Sequence, residues 1–119
     1  MDQRLKAALD FSNYAVTLNN QKRLLREQFN EANVYYYNGA QFTLSRELIN
    51  FCQSLVLLNC TSTILIDDNH NPIGIDDLPT FSSNIYTVYI EAATTYLNLY
   101  NELKKSRSVE KLINYAVDK

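Results

Sequence analysis

The sequence predicts an α+β fold, predominantly helical: two long helices packed together, a shorter buried helix between them, and two small β-hairpins at one end. Three observations support this. Apolar residues recur at steps of three, four or seven over residues 3–32 and 80–105, which is the repeat of a helix with one apolar face. Between those stretches, two β-favouring runs each double back on a turn cluster. Only two Gly and two Pro occur in 119 residues, so little of the chain is available for flexible linkers. A single domain over residues 1–119 is expected, since domains commonly hold roughly 100–150 residues. An irregular helical bundle without true hairpins is the competing architecture.

The first helix is expected over residues 3–32, with Leu5, Ala8, Phe11, Ala15, Leu18, Leu25, Phe29 and Ala32 on its apolar face and Asn33 as its stop. Val34-Tyr35-Tyr36-Tyr37-Asn38-Gly39-Ala40-Gln41-Phe42-Thr43-Leu44 follows. Asn-Gly between β-favouring runs is a strong hairpin signal, because a type I′ turn needs positive φ at both central residues. A period of two places Tyr35 and Tyr37 on one face and Tyr36 on the other. Ser45 reads as an N-cap with Glu47 in the first turn. Leu48, Phe51, Cys52, Leu55 and Leu58 then form a stripe that predicts a buried helix over 46–58.

Residues 62–75 predict the second hairpin, with Asp67-Asp68-Asn69-His70-Asn71-Pro72 as its turn. Asp76, Asp77 and Pro79 announce the next helix. In it, Phe81, Ile85, Val88, Ala92 and Leu99 make one row, and Tyr89, Ala93, Tyr96, Tyr100 and Leu103 an adjacent one. Ser106-Arg107-Ser108 is expected to break that helix, with Ser108 capping a last one to Val117.

The composition excludes much chemistry. His70 is the only histidine and sits in a turn, so a Ser–His or Cys–His device lacks the third group that orients its base. Two cysteines eight apart and one histidine do not supply a zinc site. Gly39 and Gly74 stand alone, so no phosphate-cradling loop exists. Asp67, Asn69 and Asn71 resemble the start of a calcium loop, but Pro72 and Leu78 occupy the places of its glycine and its bidentate glutamate. No enzyme activity, cofactor or metal is expected. The longest apolar runs fall far short of the roughly 20 residues that span a bilayer, and Met1-Asp2-Gln3-Arg4-Leu5 has no secretory h-region. A cytoplasmic location, no membrane contact and free thiols at Cys52 and Cys60 are the expectations.

Charge is unevenly laid out. Residues 1–46 carry a net +2, residues 47–103 a net −7 with no Lys or Arg, and residues 104–119 a net +3. Two kinds of partner follow. The helices carry more apolar and aromatic surface than one seam requires, with Tyr86, Tyr89, Tyr96 and Tyr100 as a candidate partner surface for self-association or for another protein. Alternatively, Lys22, Arg23, Arg26, Lys104, Lys105, Arg107 and Lys111 form one basic surface if the first and last helices lie side by side, and nearby tyrosines stack on single-stranded nucleic acid.

The run Tyr35-Tyr36-Tyr37-Asn38-Gly39 to Phe42, then Glu47-Leu48-Ile49, Leu65-Ile66-Asp67 with Asn71-Pro72-Ile73, and Lys104-Lys105-Ser106-Arg107-Ser108-Val109 together resemble small proteins of large contractile-tailed phages, cyanophages among them. The resemblance covers residues 34 to 113 and carries no catalytic residue. It implies an accessory or virion-associated protein made in the bacterial cytoplasm.

Overall fold

The computed structural model describes residues 2–117, with side chains up to Arg107. It is a predominantly helical α+β fold in the order α1 (Gln3–Ala32), β1 (Val34–Tyr37), β2 (Ala40–Thr43), α2 (Arg46–Leu57), β3 (Thr63–Ile66), β4 (Pro72–Ile75) and α3 (Leu78–Val117). The chain divides into two compact units. Unit 1 comprises Met1–Gln28 with Thr95–Lys119, and unit 2 is Phe29–Thr94.

Unit 2 contains both hairpins. β1 and β2 pair antiparallel from Val34↔Thr43 to Tyr37↔Ala40, joined by Asn38 at φ 47 and Gly39 at φ 79. Both angles are positive, as the I′ turn requires. β3 and β4 pair from Thr63↔Ile75 to Ile66↔Pro72. Asn33 ends α1 and ties it to the first hairpin, its Nδ2 donating to the Leu44 carbonyl at 2.9 Å.

α2 is capped at both ends. The Ser45 hydroxyl accepts from Leu48 N–H at 3.1 Å. At the other end Asn59 adopts φ 63, and Asn59 and Cys60 donate to the Val56 and Leu55 carbonyls, a Schellman stop with Asn in the left-handed position. Asp77 caps α3, accepting from both the N–H and the hydroxyl of Thr80.

The core of unit 2 centres on Phe81, 2% exposed. The rings of Tyr35, Tyr37 and Phe42 meet it edge-on at 5.5, 5.4 and 5.6 Å, the arrangement that ring quadrupoles favour. Ala40, Leu44, Ile49, Cys52, Leu65, Ile75, Leu78 and Ile85 complete the cluster. Tyr36 faces outward, as period two demands.

Three expectations need correction. α1 spans the anticipated residues, yet none of them is buried. Tyr14, Ala15, Leu18, Leu25 and Phe29 are half-buried, whereas residues 2–13 are exposed throughout, Leu5, Ala8 and Phe11 included. In α2 the covered face is Leu48, Ile49, Cys52, Leu55 and Val56; Phe51 and Leu58 point to solvent, so the helix is buried on one narrow side only. Finally, α3 runs unbroken for 40 residues through Ser106-Arg107-Ser108. Arginine is a good helix former and serine costs only a few tenths of a kcal/mol, so without Gly or Pro nothing there stops the helix. The two apolar rows of α3 are as anticipated, with Phe81, Ile85 and Ala92 buried and Val88, Tyr89, Ala93, Tyr96, Leu99, Tyr100 and Leu103 half-buried.

Candidate functional site

The acidic turn of the second hairpin binds its own backbone. Asp67 is buried, and its Oδ1 accepts from the N–H groups of Asn69 and Asn71 at 3.0 and 2.8 Å. Asp68 reaches across to β2. Its Oδ1 accepts from Thr43 N–H at 3.0 Å, and its Oδ2 from the Thr43 hydroxyl at 2.7 Å and Gln41 Nε2 at 3.1 Å. Its own N–H donates to the Gln41 carbonyl. These bonds, the Thr43 N–H foremost, hold the Asp68 carboxyl below its ordinary value. Asp77 is occupied by Thr80. The acids therefore do not converge, and no group of three His, Cys, Asp or Glu placed to hold a metal occurs among the described residues. Cys52 is buried, and desolvation pushes its thiol up, away from a reactive thiolate.

The four tyrosines of the candidate partner surface fall in different settings. Tyr86 is exposed on α3 in unit 2. It lines an open groove of about 380 Å³ with Pro79, Ser82 and Ser83 of the same helix and Val56 and Leu57 of α2. Leu57 and Leu58, at 83% and 73% exposure, are among the barest apolar side chains of the unit. Tyr89 is half-buried; its ring meets Phe29 edge-on at 6.0 Å, and its hydroxyl accepts from Arg46 Nε at 3.1 Å. It links Phe29 of α1 and Arg46 of α2 to α3. Tyr96 and Tyr100 are half-buried in unit 1.

The basic residues of unit 1 gather in part. Lys22 on α1 and Lys104 on α3 each place Nζ 5.8 Å from the centroid of the Tyr100 ring, so one aromatic face system holds two cations from two helices. Arg107 departs from the expected surface. It is 7% exposed, donates from Nε to Gln21 Oε1 at 2.7 Å, and lies over the Tyr14 ring at 5.3 Å. Its long stem and planar head suit it to packing between aromatic and amide groups. Arg23 is paired with Glu27 at 3.3 Å. Arg26 and Lys105 are exposed, and the Lys111 side chain lies outside the described residues.

Sequence reasoning missed the groove, the Asp68 clasp on β2 and the Arg46–Tyr89 bond. Each joins residues more than twenty positions apart, where local periodicity carries no signal. No helix among the described residues is long and apolar enough to cross a membrane. No protein-family model matches the chain, and no curated protein or solved structure matches it.

Proposed function

We propose that this chain is a non-enzymatic protein-interaction module that assembles with copies of itself. The observation that supports it is uncovered apolar surface in both units. In unit 1, α1 exposes Leu5, Leu9, Phe11, Val16 and Leu24; in unit 2, Leu57, Leu58, Ile64 and Ile66 are exposed. The phage resemblance supplies a setting for this reading, as an accessory or virion-associated assembly protein. Light scattering on the purified full chain tests it: a mass of two or more chains is expected, and a monomer persisting at high concentration rejects it.

A second reading has its own observation. The Lys22–Tyr100–Lys104 cluster offers two ammonium groups beside an aromatic ring, the pairing that single-stranded nucleic acid uses through phosphate and base. Salt-dependent binding to oligonucleotides is its signature. Binding that is absent at low salt, or unchanged in Lys22→Ala with Lys104→Ala, removes it.

A further inference from the structure

The two units carry opposite charge. Phe29–Thr94 contains seven Asp/Glu and only Arg46 as a cation, a net −6; the remainder holds ten Lys/Arg against six Asp/Glu, a net +4. Each unit also presents an apolar feature to solvent. On α1, Leu5, Leu9 and Val16 follow at steps of four and seven, which places them on one side of the helix. All three are exposed. On unit 2 the feature is the groove between α2 and α3, lined by Val56, Leu57, Pro79, Ser82 and Tyr86. No Lys or Arg occurs from Glu47 to Leu103, so neither helix lining the groove brings a cation from that stretch.

An apolar groove between helices takes a helix whose anchors recur on one face. The opposite net charges of the two units steer unit 1 of one copy towards unit 2 of another and disfavour the like-charged approach of unit 2 to unit 2. We propose that the α2–α3 groove of one copy receives the Leu5–Leu9–Val16 face of α1 from a second copy. The proposal rests on the self-association reading above and adds which surfaces meet. The interface is heterologous, because groove and helix face are different patches. A pair keeps one unused helix face, on the copy whose groove is filled, and one unused groove, on the other copy, so assembly continues until a ring closes or a filament grows.

Two variants of the full chain test this: Leu9→Glu with Val16→Glu on the helix face, and Leu57→Glu with Tyr86→Glu at the groove. All four positions are exposed, so both variants keep the fold, as circular dichroism and the unfolding midpoint will verify. In sedimentation or light scattering, the native chain forms assemblies and each variant alone is monomeric. An equimolar mixture forms a one-to-one dimer and nothing larger, because it contains one intact groove and one intact helix face that can meet. If the native chain assembles but the mixture stays monomeric, or if either variant still assembles alone, the pairing is wrong while self-association stands. If the native chain never exceeds a monomer, both fail.

Discussion

Among the described residues every fully buried apolar side chain lies in unit 2, whereas the buried residue of unit 1 is an arginine. Unit 2 is built around rings set edge-on to Phe81 and closed by two hairpins; unit 1 is a helix pair joined by half-buried side chains, cation–ring contacts and the Arg107–Gln21 bond. The difference shows that one long helix can serve two kinds of packing along its length. Where α3 meets strands and α2 it contributes to a core, and where its neighbour is α1 alone it contributes to a seam. Local stability follows buried apolar contact, so backbone amides of unit 1 should exchange faster than those of unit 2.

The largest effect is expected from Phe81→Ala. Emptying the ring cluster should cost about 3–5 kcal/mol, read as a fall in the denaturant midpoint with loss of amide protection in both hairpins. Protection that fell in unit 1 alone would reverse the assignment of the core. Arg107→Ala comes next. It removes a charge-assisted bond and a stacked side chain, and about 1.5–3 kcal/mol of local protection should be lost. Hydrogen exchange should rise in residues 14–25 and 95–106 while the Phe81 cluster keeps its protection. Equal losses in both units would show that they open together.

Asp68→Asn is expected to have the smallest effect, on the order of 1 kcal/mol at neutral pH, confined to unit 2. The Asp68 carboxyl titrates lower in the folded chain than its ordinary value. Its contribution is therefore complete above the unfolded value of about 3.9 and is lost as pH falls through the folded one. The native chain should weaken over that acid range, and the Asn variant should show a shallower decline there. An identical acid limb in both proteins would remove Asp68 from the account.

Much of the fold was legible because its boundaries are set by local chemistry. Asn38-Gly39 fixes a turn whichever way the rest packs, Ser45 and Asp77 satisfy helix N–H groups from their own side chains, and the two apolar rows of α3 follow from helical spacing. What spacing cannot show is whether a face is covered. Leu5, Ala8 and Phe11 share the sequence rhythm of Leu18 and Leu25, yet they stand in solvent. Likewise Leu58 continues the Leu48–Leu55 stripe into open space. Of the candidate site residues, the sequence grouped Lys22 and Lys104 only on the condition that the first and last helices lie side by side, and both do reach the Tyr100 ring. It placed Arg107 on the surface because a side chain's burial depends on partners such as Tyr14 and Gln21, some ninety positions away.

The bonds from Asp68 to Thr43 and Gln41 have a consequence for misassembly. The N–H of Thr43 and the carbonyl of Gln41 point away from β1 and would otherwise be vacant rungs for a stray strand. With a single aspartate in place there, fibril growth at that margin must first dislodge the turn of the neighbouring hairpin. An errant chain would then find its opening instead at β3, where Ile64 and Ile66 stand bare.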